Sequence, residues 1–369
     1  MFNCNECALL DSVHDEAICR IIQHYNHVRI PGDNPIVLAD YVKDEPDNEW
    51  EILDRAGVNI YPNQSYVDEA RNNPAVRADH PNDVFLFDSS QFDNPATNPY
   101  GVLAMSGNSI DKKYLIRSWG VRLSVEKDDR GKTKLYSWKE ILAPFHKVKT
   151  PPSNAMVIVD RYLFSHVKRV DVDYKNGIRN VFAILKELLP DTFKGEYQVL
   201  LVFDPTKISN KATIADVTKG LQNIKKLIRP GKYVPTIELL PISVDYDQEI
   251  YSETHDRRII SNYFSIDASH GFSAILPSKM RKDDITYIGY GEATYGQKIT
   301  FNGHYHGIDK DEEDLNMDAL PISFCDETLR YLKKYINRKI GSTGNVEYIC
   351  NGNWHSDISQ LRNRLVTGI

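Results

Sequence analysis

Apolar runs of four to six residues, separated by polar segments rich in turn-forming residues, mark the first hundred positions. They lie at 36–39, 58–61, 84–87 and 100–105. Short apolar runs bounded by Asn, Asp, Gly and Pro are typical of buried strands. The segments 11–25 and 49–56 have the spacing of helices. Strands that alternate with helices predict a small open α/β sheet.

The pattern changes at 111–154. Apolar and polar residues alternate at 121–125, a charged turn follows at 128–132, and a second apolar segment covers 135–138. Alternation on both sides of a turn predicts a β-hairpin. The segment 150–154, Thr-Pro-Pro-Ser-Asn, is stiff and polar, and it predicts a domain boundary.

The pattern is regular from residue 155 onward. Strands are predicted at 156–159, 198–203, 236–242 and around 255 and 264, and helices at 177–189, 211–229, 324–338 and 356–366. The apolar residues of 177–189 share one helical face, and Pro190 ends that helix. This order predicts a second α/β domain with a C-terminal helical extension.

Length and composition fit this division. A chain of 369 residues with 41% apolar and 26% charged residues is long enough for two domains with their own cores. The fold prediction is α/β: a small open-sheet domain at 1–110, a hairpin and linker at 111–154, and an α/β domain at 155–369.

No apolar run reaches the roughly 20 residues of a membrane-spanning helix. The first residues lack the features of a signal peptide, and five scattered cysteines do not suggest a disulfide framework. The expected location is the cytoplasm, without membrane contact.

The net charge of −6 conceals two opposite regions. Residues 1–110 carry a net charge of −12, and residues 111–149 carry +6. A basic block of this kind is typical of a polyanion-binding face, and equally of a domain that complements an acidic neighbour. The candidate nucleic-acid-binding residues are Lys112, Lys113, Arg117, Arg122, Lys132 and Lys134.

One motif carries candidate chemistry. His255 and Arg257 are two positions apart on a predicted strand, and Asn262 follows five residues later. Side chains two apart on a strand point the same way, so a histidine and an arginine can reach one anionic ligand. The structural alternative is that His255, Asp256 and Arg257 form ion pairs and hydrogen bonds that fix a strand end.

The motif resembles one half-site of the phospholipase D-like superfamily, His-x-Lys-x4-Asp, with Arg257 in place of lysine and Asn262 in place of aspartate. The strand at 156–159, followed by Asp160, Arg161 and Tyr162, is similar to the opening strand of that module. The His-Asp-Arg form is more similar to the degenerate domains at the C-terminus of some MIT-domain proteins, and it resembles a related form in prokaryotic proteins associated with phage defence.

The resemblance implies a catalytic site of His255 as nucleophile, Arg257 as phosphate clamp and Asn262 as orienting residue, with neither cofactor nor metal. It also implies that two copies of the chain complete one site. A literal His-x-Lys-x4-Asp match at His166, Lys168 and Asp173 lies in a predicted loop and is a weaker candidate.

Two metal sites are alternatives. Asp40 and Asp88 follow predicted strands and, with Glu69 or Asp93, suggest a Mg²⁺ site loosely similar to PIN-like nucleases, although strand-end aspartates also cap helices. Cys4, Cys7, His14 and Cys19 resemble a zinc knuckle with altered spacing.

The leading functional hypothesis is a component of a prokaryotic antiphage defence system that engages nucleic acid and is a metal-independent nuclease through His255. A non-catalytic adaptor in a larger complex, with a structural His-Asp-Arg motif, is the first alternative. A metal-dependent PIN-like nuclease is the second. Expected partners are nucleic acid and a protein partner or second copy of the chain.

Overall fold

A computed structural model of the protein describes residues 37–38, 72–73, 75, 84–87, 99–101, 103–106, 118–123, 137–143, 153–165, 175–208, 212–243, 257–262, 264–268, 272, 276–277, 291–292, 299–305, 322–340 and 347–367. The strands are β1 (Val37–Leu38), β2 (Val84–Phe87), β3 (Leu103–Ser106), β4 (Ser118–Leu123), β5 (Ala155–Val159), β6 (Gln198–Phe203), β7 (Thr236–Pro241), β8 (Arg257–Ser261), β9 (Phe264–Ala268), β10 (Leu276–Pro277), β11 (Gly291–Glu292), β12 (Ile299–Tyr305), β13 (Tyr348–Cys350) and β14 (Asn353–His355). The helices are α1 (Trp138–Ile141), α2 (Lys175–Leu188), α3 (Ile214–Ile228), α4 (Ile322–Lys339) and α5 (Arg364–Thr367), with 3-10 turns at Pro205–Lys207 and Ile358–Gln360.

The main sheet of the described region has nine strands in the order β14-β13-β7-β6-β5-β8-β9-β12-β4. Strands β5, β6 and β7 are parallel, because α2 and α3 return the chain to the same edge each time. The remaining pairs of this sheet are antiparallel. The α/β class is confirmed, and the division into two domains stays a prediction.

A second sheet contains β1, β2 and β3, all parallel. Its strands lie within the predicted strands at 36–39 and 84–87, and at the end of the one predicted at 100–105. The short pair β10 and β11 is antiparallel. The predicted helices at 11–25 and 49–56 and the strand at 58–61 lie outside the described residues.

Helices cover both faces of the central strands. Met156 and Ile158 of β5 belong to a core that includes residues of α1, α2 and α3. The alternating residues Ala155, Val157 and Val159 belong to a second core with residues of α4 and α5. A strand buried on both faces reads as a continuous apolar run, which is why β5 and β6 were predictable from sequence, whereas the apolar run of β7 is interrupted by the buried Glu238.

The predicted second strand of the hairpin, 135–138, is wrong at its last residue, and residues 135 and 136 lie outside the described residues. Trp138 begins helix α1, and Ser137 caps it by accepting from the Glu140 backbone N–H at 3.1 Å while the Glu140 carboxylate accepts from the Ser137 N–H at 2.7 Å. This capping box stabilises a helical start. The first predicted strand is present as β4, and its described partner is β12, more than 170 residues later. A local alternation pattern does not reveal such a distant partner.

Arg229 closes the C-terminal end of α2. Its buried guanidinium donates to the carbonyls of Leu189 and Pro190, the latter at 3.0 Å, and the hydroxyl of Tyr233 donates to the same Pro190 carbonyl at 2.6 Å. The last carbonyls of a helix have no partner within the helix and carry partial negative charge. A cation supplied by the end of α3 therefore ties the two helices together.

The segment 358–367 docks across the three parallel strands through polar contacts. The buried Glu238 carboxylate on β7 accepts from the backbone N–H groups of Arg362 and Asn363, both at 2.9 Å. The Asn363 amide donates to the Met156 carbonyl on β5 at 3.0 Å, and the Gln198 side chain on β6 accepts from the Arg364 N–H at 2.9 Å. The predicted closing helix at 356–366 is instead a 3-10 turn and the short α5.

Burial raises the pKa of Glu238 to about 7, against the two backbone donors, which favour the charged form. Glu196 nearby adds to the rise, and Arg362 opposes it.

Among the helices that the structure describes, none combines the length and apolar character needed to cross a membrane.

Replacing Arg229 with alanine is expected to lower the free energy of unfolding by about 2 to 3 kcal/mol, because the Leu189 carbonyl loses its Arg229 donor and the Pro190 carbonyl keeps only Tyr233. Urea denaturation measures this change. Lys232→Ala is the control, since Lys232 is exposed in the turn just after Arg229. Equal denaturation midpoints for the two variants would contradict the capping role.

Glu238 is expected to make the protein less stable as pH rises. Its folded pKa of about 7 exceeds the ordinary value of 4.5, so its contribution is complete below pH 4.5 and is lost as pH rises through 7. The full span corresponds to on the order of 3 kcal/mol. Denaturation of the wild type at about pH 5 and about pH 8 measures the loss.

Glu238→Gln should reduce the difference in the free energy of unfolding between the two pH values. A change of stability that is equal at both pH values does not affect this difference. Burial also raises the pKa of Asp160, so the contribution of that carboxyl to the pH dependence has the same sign. Glu347→Gln is the control, because Glu347 is exposed at the start of β13. A difference between the two pH values that Glu238→Gln leaves unchanged would argue against Glu238 as its source.

Candidate functional site

Charged side chains meet where the parallel strands β5 and β6 end. Asp160 follows β5 and Asp204 follows β6, and the pairing of Val159 with Arg258 places Arg257 at the same edge. The carboxyl edge of parallel strands is where α/β proteins bind ligands. We therefore treat this edge as the candidate site.

Asp160 is fully buried and is held by backbone donors. It accepts from the N–H of Tyr162 at 2.8 Å and from the N–H of Phe272 at 2.7 Å. Its Oδ1 lies 4.0 Å from Nε of Arg257. Burial raises the pKa of Asp160, and the two N–H donors and Arg257 act in the opposite direction. The carboxylate thus joins the end of β5 to β8 and to the chain at residue 272.

Asp204 makes two kinds of contact with its two oxygens. Oδ1 accepts from the N–H and hydroxyl of Thr206, at 2.9 and 2.7 Å, and so caps the 3-10 turn Pro205–Lys207. Oδ2 accepts from Nε of Arg161 at 3.3 Å. The backbone N–H of Asp204 also donates to the Arg161 carbonyl at 3.3 Å. Asp204 therefore fixes both the main chain and the side chain of Arg161.

Two guanidinium groups converge on the ring of Tyr162. The central carbon of Arg161 lies 5.3 Å from the ring centroid, and that of Arg257 lies 5.5 Å from it. Both distances are within the range of cation–π attraction. The side chains of Arg161 and Arg257 remain 30% and 23% exposed, while their aspartate partners are buried. We call Asp160, Arg161, Tyr162, Asp204 and Arg257 the edge cluster.

The edge cluster suits an oxyanion ligand. Arginine presents a planar set of donors that matches phosphate or carboxylate oxygens in pairs. Two buried aspartates balance the two arginines, so the cluster does not present a strong excess of positive charge. Recognition here would depend on the direction of hydrogen bonds more than on long-range attraction.

Strand β8 separates two of the predicted catalytic residues. Arg257 begins β8, whereas Asn262 follows its last residue at the opposite edge of the sheet. Five residues of extended chain span roughly 17 Å. His255 lies outside the described residues. The structure therefore brings Arg257 to the edge cluster and does not bring Asn262 there.

Asn262 is buried and bonds to the start of β5. Its Oδ1 accepts from the backbone N–H groups of Asn154 and Ala155, at 3.0 and 3.2 Å, and its Nδ2 donates to the Asn154 side-chain oxygen at 2.9 Å. Ser261 adds a hydrogen bond from its hydroxyl to the Ala155 carbonyl at 2.8 Å. These contacts join β8 to the neighbouring strand, which is a structural task.

Most other candidates lie outside the described residues: Lys112, Lys113, Arg117, Lys132, Lys134, His166, Lys168, Asp173, Asp40, Glu69, Asp88, Asp93, Cys4, Cys7, His14 and Cys19. Arg122 lies on β4, where its backbone pairs with Thr300. Within the described part of the chain, no group of three or more His, Cys, Asp and Glu side chains is arranged to hold a metal.

Sequence reasoning did not single out Arg161. The available signal was its position between Asp160 and Tyr162, directly after a fully apolar strand. An arginine at the end of a buried strand is unusual unless a carboxylate partners it, because a desolvated cation is costly. The partner, Asp204, lies 43 residues away and ends the neighbouring strand.

The chain matches no protein-family model, and it matches no curated protein in sequence.

Asn262→Asp distinguishes the two interpretations of Asn262. The phospholipase D-like motif has aspartate here, so a half-site residue should tolerate the change. We expect instead that the free energy of unfolding falls by on the order of 3 kcal/mol, because aspartate lacks the amide that donates to Asn154 and places a charge in a buried site. Thermal or urea denaturation measures the loss, with exposed Asn353→Asp on β14 as control. A fully stable variant would contradict the structural role.

Proposed function

We propose that this protein engages phosphodiester groups of nucleic acid, and that the arginine pair of the edge cluster makes the contact. The observation that carries the proposal is the convergence of Arg161 and Arg257, both partly exposed, on one ring at the carboxyl edge of parallel strands. This edge is the usual ligand-binding edge of an α/β sheet. Arginine is the residue best shaped to hold phosphate oxygens in pairs.

The resemblance to phospholipase D-like proteins extends this proposal to a reaction. His255 precedes Arg257 by two residues and would attack phosphorus, with Arg257 neutralising the phosphate charge. An imidazole N–P bond would form as one P–O ester bond breaks and its oxygen leaves with a proton from solvent, and water would then hydrolyse the phosphohistidine. Such a nuclease would need no metal, and a homodimer would supply two histidines to one site. On the same resemblance, we propose a place in a prokaryotic antiphage defence system.

A non-catalytic adaptor is the second candidate, and particular contacts favour it. Asn262 is engaged with the backbone of Asn154 and Ala155, far along β8 from Arg257. Arg257 itself lies beside the buried Asp160. A motif whose residues bond to their own fold can persist without catalysis, and the protein would then act through a partner protein.

The test combines binding and cleavage with labelled single- and double-stranded DNA and RNA in EDTA. We expect wild type to bind, and Arg161→Ala and Arg257→Ala each to weaken binding by about tenfold, the cost of one charged hydrogen-bond donor. Lys232→Ala is the control, since it removes one exposed positive charge at the opposite edge of the sheet. Fluorescence anisotropy measures the affinities.

Cleavage separates the candidates. Cleavage in EDTA that is lost in His255→Ala supports the metal-independent nuclease. Cleavage that is absent in EDTA and appears when Mg²⁺ replaces EDTA supports the alternative based on Asp40 and Asp88. Absence of binding and cleavage in folded wild type would overturn the proposed nucleic-acid function and leave the adaptor as the better account.

A further inference from the structure

The two aspartates of the edge cluster have a more specific consequence than charge balance. Asp204 holds Nε of Arg161 at 3.3 Å, and Asp160 lies 4.0 Å from Nε of Arg257. Both carboxylates are buried, and both are also fixed by backbone N–H donors. An arginine attached to a fixed acceptor samples fewer conformations than an arginine in solvent.

We infer that Asp160 and Asp204 are positioning residues that hold Arg257 and Arg161 as a two-armed clamp for a single phosphate group, so that the site recognises one phosphate and not the summed charge of a long polyanion. This inference rests on the proposed function. It deepens that proposal by naming the unit that the site binds.

The ring of Tyr162 supports the clamp geometry. Both guanidinium groups lie within cation–π distance of this one ring, so both arms are anchored to the same rigid surface. The Tyr162 N–H in turn donates to Asp160 at 2.8 Å. Asp160 therefore positions the ring through the backbone and lies beside one of the two arms.

Charge balance sets the expected salt dependence. A surface that neutralises six to ten phosphates binds through counterion release, and its affinity falls steeply with salt. The edge cluster pairs two cations with two anions. For a single strand, contact with one or two phosphates corresponds to a slope of log affinity against log salt of about −0.7 to −1.4.

The test uses a variant that removes a negative charge and the positioning contact together. Asp204→Asn keeps an oxygen at Oδ1 to cap Thr206 and places an amide where Oδ2 accepts from Arg161. If net charge alone determined affinity, the variant would bind an anion more tightly, because the net charge of the protein becomes more positive by one elementary charge. The clamp predicts weaker binding, by about tenfold, because a fixed arginine is lost. Asp160→Asn is a less selective variant, because Oδ1 and Oδ2 of Asp160 both accept from backbone N–H groups and the new amide would face one of these donors.

The control is Asp191→Asn, which makes the same change of charge at an 85% exposed carboxylate beyond the end of α2, at the opposite edge of the sheet. Thermal denaturation verifies that each variant is folded. The probes are a labelled single-stranded DNA, measured by anisotropy over a range of salt, and inorganic phosphate, measured by the shift in melting temperature against chloride at equal ionic strength.

Weaker binding of both probes to Asp204→Asn, with a shallow salt slope for wild type, supports the clamp. Equal or tighter binding by Asp204→Asn, or a slope steeper than about −3, overturns it in favour of a charge-driven surface. Phosphate stabilisation without DNA binding would keep the clamp and refute the nucleic-acid function. Absence of phosphate stabilisation in folded wild type would refute the clamp.

Discussion

The buried carboxylate of Asp160 is the interaction on which the carboxyl edge of the sheet depends. A carboxylate removed from water is costly unless donors surround it, and here two backbone N–H groups donate to it while the Arg257 guanidinium lies 4.0 Å away as its charge partner. These groups come from three separate parts of the chain: the turn after β5, the start of β8 and residue 272. Their convergence gives Arg257 and Tyr162 defined positions, so that the same contact that satisfies a buried charge also shapes the candidate site.

The central strands were predictable because they are buried on both faces. Val157 and Val202 belong to runs with no polar interruption, and the helices between them show clear apolar faces. The strands β4 and β12 were harder to anticipate as partners, since their pairing joins residues far apart in sequence. Trp138 was assigned to a strand because it follows Leu135 and Tyr136 in a short apolar segment, whereas the Ser137–Glu140 capping box determines the observed helix.

The candidate site was only partly accessible from sequence. Arg257 was identified from its two-residue spacing from His255; Arg257 is the first residue of β8, and His255 lies outside the described residues. Asn262 was grouped with it by a longer spacing, which carries no information about where the strand ends. The pairing of Met156 with Ser261 places Asn262 beside the start of β5 and away from the edge cluster. Arg161 depends on Asp204, and a contact between two strand ends cannot be deduced from either segment alone.

The docking of residues 358–367 across the parallel strands has a kinetic consequence. Asn363 bonds to Met156, and Arg362 bonds to Glu238, so segments more than one hundred residues apart must meet before the second core closes. Topologies dominated by such distant contacts fold slowly, because the entropy cost of closing a long loop comes before the contacts that offset it. During synthesis, β5, β6 and β7 therefore emerge well before the segment that completes their surroundings. Until residues 358–367 are synthesised, an apolar face of the sheet remains exposed in the nascent chain. Assistance from a chaperone would matter most during this period.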